Sequence, residues 1–258
     1  EYEMNQTMIP FEYDSLPYVK GITKEELFDC DMFIFCASKG VPPIESNVED
    51  VRMIQLKENS KIIKEYAILA RKSNFKGFFA VVSDPVDPLC KTVLIESNKD
   101  ENEKYDFKGL APEQIKGYGL GVMNARAAYY AKKNNRYSQF LNDGRAFGPH
   151  GKDLVIADSI TNYNNTLSKE LTKLAVNANM DVRATGFKPF IAPALSSGSI
   201  SIVLTLNGEW HYSSNFLGGV FMGAKNRNTL AGLEFERIDI PKLLYKRLQS
   251  TYNKLGNI

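Results

Sequence analysis

Two short apolar segments in the first third of the chain predict strands buried on both faces of a sheet. Residues 31–37 (DMFIFCA) and 77–82 (GFFAVV) are continuously apolar and rich in β-forming side chains, as expected where helices cover both faces of a parallel sheet. Between them, residues 48–73 carry isoleucine, leucine and tyrosine at helical spacing, which predicts a long amphipathic helix. A strand, a long helix and a second strand form the crossover unit of a parallel sheet.

The remaining chain alternates helical and extended patterns and changes character near residue 116. A short capped helix is predicted at 23–28, and a helix follows the turn SDPVDP at residues 83–88. Further segments are predicted as a helix at 122–133, a strand at 153–158, helices at 167–178 and 189–206, antiparallel strands between 210 and 223, and a final helix at 241–255. The pattern therefore predicts an α/β part followed by an α+β part.

Composition narrows the classes of partner. A formal net charge of +2 gives no reason to expect nucleic acid or an anionic membrane surface as a partner. No apolar run reaches the roughly 18 residues that a bilayer span needs. Three cysteines without metal-ligand spacing and only two histidines predict no metal site, and they favour reduced thiols in the cytoplasm.

The most informative segment is Gly148-Pro149-His150-Gly151. Histidine is the side chain whose ordinary pKa lies near neutrality, so it can give and take a proton there. The flanking glycines allow a sharp turn and a close approach of a ligand. His150 is therefore a candidate acid/base, although a solvated loop histidine has the same local pattern.

Five segments in order resemble the lactate/malate dehydrogenase family. They are the strand at 31–37, Arg52 followed seven residues later by Asn59, the turn Ser83-Asp84-Pro85-Val86-Asp87, the helix start Val122-Met123-Asn124-Ala125-Arg126, and Gly148-Pro149-His150-Gly151. Each is weak alone, whereas their order and spacing together are fairly specific. The resemblance implies a Rossmann-like doubly wound parallel sheet over residues 1–116, lacking its N-terminal strand, and an α+β substrate domain of this family over residues 117–258.

The resemblance also implies an activity, which is NAD-dependent hydride transfer between a nicotinamide and a malate- or lactate-like 2-hydroxy or 2-oxo acid. His150 would move the proton, Arg126 would bind the substrate carboxylate, and Arg52 would stabilise the carbonyl oxygen once its loop closes. The remaining implied contacts are Asn59 and Asp84 to substrate, and Ala37, Val82 and Asp84 to the cofactor. A homo-oligomer, dimer or tetramer, is the expected assembly.

Two departures from the family pattern concern the acid/base. Met123 stands where the family has an aspartate that fixes the histidine tautomer, and methionine cannot do this. Asp84 stands where the family has an asparagine, and an ionised carboxylate only accepts hydrogen bonds. Asp84, Asp143 and Asp153 are open candidates to replace the missing carboxylate. The alternative interpretation of Met123 is core packing.

A third departure concerns the nucleotide. The sequence contains no Gly-x-Gly-x-x-Gly, and we expect that it begins inside the domain or that another element fills that place. Two alternatives therefore stay open beside the dehydrogenase. One is an inactive family member that serves as a binding or structural subunit. The other acts on a bulkier or sugar-like acid, which the long loop 38–51, with Lys39 as its only cation, and Lys188 would suit.

Overall fold

A computed structural model of the protein describes residue 5 and residues 18–39, 48–186 and 193–258. Within these ranges, the side chains of residues 48–52, 183 and 193–196 are not described. The side chain of Arg52, all of Lys188 and most of the predicted long loop therefore lie outside the described part.

A mixed sheet forms the centre of the described fold. In chain order, the strands are β1 (Met32–Phe35), β2 (Phe78–Val81), β3 (Ile115–Gly117), β4 (Arg145–Phe147), β5 (Val155–Ala157), β6 (His211–Phe216), β7 (Phe221–Thr229) and β8 (Gly232–Phe235). The described residues form a six-stranded sheet of order β1-β2-β3-β6-β7-β8, and β4 pairs with β5 alone. Strands β1 to β3 are parallel. Strand β6 pairs antiparallel with β3, β7 with β6, and β8 with β7.

Helices lie on both faces of the parallel strands. In chain order, the helices are α1 (Val48–Lys72), α2 (Val86–Ser97), α3 (Leu120–Lys133), α4 (Phe140–Asp143), α5 (Asn165–Ala184), α6 (Pro193–Leu206) and α7 (Lys242–Gly256). Helices α1 and α2 cover one face of the parallel strands, and Ile202 of α6 packs on the other face against Ala80 and Val82. The arrangement confirms the predicted Rossmann-like α/β fold with an α+β C-terminal part.

The main core lies between the parallel strands and helices α1 and α2. Phe79 of β2 is fully buried at its centre, and its ring centroid is 4.9 Å from that of Phe33 and 6.4 Å from that of Phe28. Burying one large aromatic side chain contributes about 1.5–3 kcal/mol. This cluster fixes the strand ends on which the candidate site is built.

The prediction that residues 31–37 are buried on both faces is wrong for β1. Phe33 and Phe35 are buried, but Ile34 is 46% exposed and Cys36 is exposed. The reason is position, because β1 is an edge strand of the described sheet. The helix on the open face packs on β2 and reaches Met32 only in part.

Several local predictions need correction. Residues 23–28 form a turn, in which the Glu26 carboxylate accepts a hydrogen bond of 2.9 Å from the Thr23 N–H, and no helix follows. The sequence pattern missed β3, β4, β8 and the short helix α4, because three- and four-residue elements carry too few positions for a period. The predicted boundary at residue 116 lies inside β3, and the sheet continues to β6, so the two-domain division stays a prediction.

Phe79→Ala tests the core. Removing this ring leaves a cavity, and the free energy of unfolding should fall by about 3–5 kcal/mol. Phe107→Ala is the matched control, because Phe107 is 82% exposed and its removal should change stability by less than about 0.5 kcal/mol. Denaturant unfolding measures both variants, and equal losses would contradict this account of the core.

Candidate active site

His150 lies beside the C-terminal ends of the parallel strands. Gly148 follows β4 with a φ of +91°, and its N–H donates to the Gly223 carbonyl at 2.9 Å, which turns the chain toward the large sheet. A Cβ added to Gly119 would lie 2.8 Å from the Cβ of His150. Glycine at position 119, just before α3, therefore allows the histidine to pack against this helix start.

Asp84 contacts His150 directly. The Oδ1 atom of Asp84 lies 3.0 Å from Nδ1 of the imidazole, within hydrogen-bond distance. The histidine side chain is 16% exposed and the aspartate side chain 40% exposed, so the pair sits at the rim of the structure and not in its core. A carboxylate at Nδ1 favours the tautomer with its proton there, which leaves Nε2 for proton exchange.

The other two candidate carboxylates serve elsewhere. Asp143 accepts hydrogen bonds from the Ser159 hydroxyl and from the N–H groups of Ile160 and Thr161. Asp153 pairs with Lys254 at 2.6 Å. Of the three carboxylates left open by the sequence, Asp84 is the one that reaches the histidine.

Arg126 on α3 is a half-buried cation. Burial lowers the pKa of its guanidinium, and the nearby charges of Tyr130 and Asp84 oppose that shift. Its one side-chain contact of hydrogen-bond type within the described part is weak, from Nη1 to the Met123 sulfur at 3.6 Å. No described carboxylate lies within ion-pair distance of it. A partly desolvated guanidinium of this kind favours an anionic ligand.

Met123 packs in the core, as its alternative interpretation held. It is buried among apolar side chains of α3 and α5, including Ala127 and Leu171. Its sulfur is a weak acceptor and carries no charge, so it cannot stabilise an imidazolium.

Asn59 is fully buried, and its amide bonds to the chain itself. Its Oδ1 accepts from the N–H of Lys39 at 3.0 Å, and its Nδ2 donates to the Asp84 carbonyl at 2.7 Å and to the Ser38 hydroxyl at 3.3 Å. The side chain thus ties the segment after β1 to the turn after β2. Asn59 therefore stabilises the backbone that carries the site and does not lie at the surface of the site.

The other predicted residues lie near the same sheet edge. Ala37 is exposed just beyond the end of β1, and Val82 is buried just beyond the end of β2. Arg52 lies in the second turn of α1, and its side chain is outside the described residues. The structure places His150 in contact with Asp84, and the charge of Asp84 acts on Arg126. The approach of Arg52 stays a prediction.

Sequence reasoning gave no role to Asp87, which is buried beside the histidine. It accepts a hydrogen bond of 2.6 Å from the Ser214 hydroxyl. Burial raises the pKa of Asp87 to about 6, although the hydrogen bond from Ser214 and the charge and backbone of His150 partly offset the shift. The available signal was its place three residues after Asp84, in the first turn of α2.

Together these groups can bind an anion and move a proton next to it. His150, with a carboxylate at hydrogen-bond distance, is the candidate acid/base, and the half-buried Arg126 is the candidate anion-binding group. No group of three or more potential metal ligands occurs among the described residues. No helix in the described ranges combines the length and apolar character needed to cross a bilayer.

The chain has distant sequence relatives of known name. No family model matches it. It is 25% identical over 148 residues to an L-lactate dehydrogenase of Mesomycoplasma hyopneumoniae, which covers 56% of this chain and 42% of the relative. It is 28% identical over 144 residues to an L-lactate dehydrogenase of Macrococcus caseolyticus, with 41% of that protein covered. The matched part is therefore less than half the length of these relatives.

The fold is similar to that of several solved structures over most of the chain. The malate dehydrogenase of Aeropyrum pernix matches 92% of this chain with a TM-score of 0.71 and 13% identity, and 78% of that chain is covered. A malate dehydrogenase of Archaeoglobus fulgidus, solved with NADH, matches 90% of this chain and 76% of its own with a TM-score of 0.66 and 17% identity. A minor L-lactate dehydrogenase of Enterococcus mundtii matches 91% of this chain and 77% of its own with a TM-score of 0.67 and 18% identity.

The fold is thus that of the malate and lactate dehydrogenases, a Rossmann-like sheet followed by an α+β part. The sequence relatives agree with this likeness, because the chain is similar to L-lactate dehydrogenases over a little more than half of its length. Both comparisons are consistent with the resemblance seen in the motifs.

The raised pKa of Asp87 predicts a pH-dependent stability. The unfolded side chain ionises near pH 4, whereas the folded one stays neutral until about 6, so its contribution is lost as the pH rises through this window. In Asp87→Asn the group no longer titrates. The unfolding free energy of the variant minus that of the native protein should therefore increase by up to about 3 kcal/mol between pH 4 and pH 7.

Denaturant unfolding of both proteins across this range measures the effect. The amide carries its own fixed cost, so the change of the difference with pH is the informative quantity. A difference that stays constant from pH 4 to pH 7 would contradict a buried, neutral Asp87.

Proposed function

We propose that the protein is an NAD-dependent oxidoreductase that transfers hydride between a nicotinamide and a 2-hydroxy or 2-oxo acid of the malate or lactate type. One observation carries the proposal. His150 pairs with Asp84, and the charge of the same Asp84 acts on a half-buried arginine, Arg126, that forms no ion pair with a described carboxylate.

Arg126 supplies the binding step. A planar guanidinium offers two parallel N–H donors to a carboxylate, and such a pair is strongest where water is partly excluded. The half-buried position of Arg126 fits this role. The carboxylate of a 2-oxo acid would be the anionic partner that no described side chain provides for Arg126.

His150 supplies the proton step. Reduction of the substrate carbonyl adds one hydride to its carbon and one proton to its oxygen, and the proton would leave Nε2 of the imidazolium. In the oxidation direction the neutral imidazole takes the hydroxyl proton as the C–H bond gives up its hydride. The bound nicotinamide supplies or accepts that hydride, and every other contribution comes from the protein.

The residues at the strand ends fit the nicotinamide end of NAD better than its pyrophosphate. Open α/β sheets bind ligands outside the carboxyl ends of their strands, and Ala37, Val82 and Asp84 all follow such ends. We assign these three positions to the nicotinamide end. The glycine loop that would hold the pyrophosphate has no counterpart in this sequence.

Two further roles belong to the proposal. Arg52, from the start of α1, would stabilise the developing charge on the carbonyl oxygen. Asn59 would contribute to substrate binding only indirectly, by holding the backbone of Asp84. We also propose that the protein is cytoplasmic, which its three free cysteines support. A homo-oligomer, dimer or tetramer, is proposed from the family resemblance alone.

A second candidate function is an inactive family member that binds or scaffolds. Met123 in the core and the missing glycine loop favour it. The two candidates separate in one assay, in which the protein is mixed with NADH and a panel of 2-oxo acids that includes pyruvate and oxaloacetate. Substrate-dependent loss of NADH absorbance that disappears in His150→Asn supports the dehydrogenase. NADH binding without turnover for any acid supports the second candidate and contradicts the first.

Arg126→Lys tests the binding step. Lysine keeps the charge but loses the two-pronged geometry, so the KM for the 2-oxo acid should rise roughly 10- to 100-fold while NADH affinity is unchanged. Arg136→Lys is the matched control, because Arg136 pairs with Glu170 at the surface and its change should leave KM unaltered. An unchanged KM in Arg126→Lys would remove Arg126 from the site.

A further inference from the structure

We propose that Asp84 is the positioning residue of His150, so that the orienting carboxylate comes from the turn after β2 and not from helix α3. The inference rests on the proposed function for its catalytic meaning. Its structural content, a carboxylate that fixes the tautomer of one histidine, can be tested without cofactor or substrate.

The contact itself is specific for one ring nitrogen. Asp84 Oδ1 is 3.0 Å from Nδ1 of His150, and no described side chain bonds to Nε2. A carboxylate can only accept, so the neutral imidazole must carry its proton on Nδ1 to satisfy this contact. The Nε2 atom is then the base, and the protonated form gains a nearby negative charge.

The turn that carries Asp84 is held from two sides. Its backbone carbonyl accepts from Asn59 on α1, and the same amide binds the N–H of Lys39 beyond β1. Across the site, Gly119 allows the imidazole to pack against the start of α3. These contacts fix both partners of the pair through the backbone and make the aspartate a pre-arranged group, not a mobile surface charge.

Helix α3 cannot supply the carboxylate in this chain. Position 123 carries a buried methionine whose sulfur contacts Arg126. The two departures noted in the sequence, methionine at 123 and aspartate at 84, therefore have one explanation. The negative charge has moved from the helix to the turn, and the imidazole keeps its partner on a different element.

The experiment combines ¹⁵N NMR of the histidines with steady-state kinetics. The chain has only two histidines, so His150→Asn assigns both sets of signals. Spectra recorded above neutral pH, where imidazoles are uncharged, report which nitrogen carries the proton. The native protein should show His150 protonated at Nδ1. Asp84→Ala should shift it toward the Nε2-protonated form, and Asp84→Asn, which keeps the size of the side chain, should do the same.

Asp153→Ala is the matched control, because Asp153 follows His150 in the same loop but pairs with Lys254. It should leave the His150 tautomer unchanged. In the Asp84 variants kcat should fall on the order of 10²- to 10⁴-fold, the usual weight of general acid–base catalysis, with KM changed far less. Melting temperatures confirm that each variant is folded.

The outcomes separate the two proposals. A tautomer that stays at Nδ1 in folded Asp84→Ala and Asp84→Asn overturns the role of Asp84, whatever the activity. A tautomer shift in a protein that oxidises NADH with none of the acids supports the role of Asp84 and contradicts the proposed dehydrogenase. A shift together with a loss of kcat supports both.

Discussion

The contact between Asp84 and His150 is the constraint on which the arrangement of the site depends. It joins the turn after β2 to a loop that begins after β4, segments 66 residues apart. Both must approach the C-terminal edge of the parallel strands for the contact to form. Gly119 leaves room for this contact, because a Cβ at that position would lie 2.8 Å from the Cβ of His150. The sheet and its aromatic core therefore hold the pair together.

Charge distribution follows from that contact. Two carboxyls interact with His150, the half-exposed Asp84 and the buried Asp87, and the guanidinium of Arg126 interacts with the charge of Asp84. Burial raises the pKa of Asp87 to about 6, so this carboxyl becomes neutral at a higher pH than an exposed aspartate does. Arg126 stays cationic and forms no ion pair with a described carboxylate, although the charge of Asp84 acts on it. The guanidinium thus favours an anion in its neighbourhood.

The long elements could be predicted from the sequence because their periods extend over many residues. Helices α1 and α7 and strands β1 and β2 were predicted nearly at their observed bounds. The open face of β1 could not be predicted, since a continuous apolar run looks the same in a central and an edge strand. In the site, the order of the motifs identified His150 and Arg126. The carboxylate partner of His150 could not be predicted, because the choice among three aspartates depended on their distances from the imidazole in the folded chain. In the sequence, Asp87 was only one more acidic residue in a turn, because the composition of a segment does not reveal which side chains are buried.

The central claim is that an imidazole and a guanidinium meet around one anionic substrate. The most direct measurement is ¹⁵N NMR of the histidine and arginine side chains while a 2-oxo acid is added in the presence of NADH. The account predicts that the His150 Nε2 and Arg126 guanidinium signals shift together with one saturation curve, while those of His211 stay in place. A shift of only one of the two groups, or of neither in a folded protein that binds NADH, would contradict it.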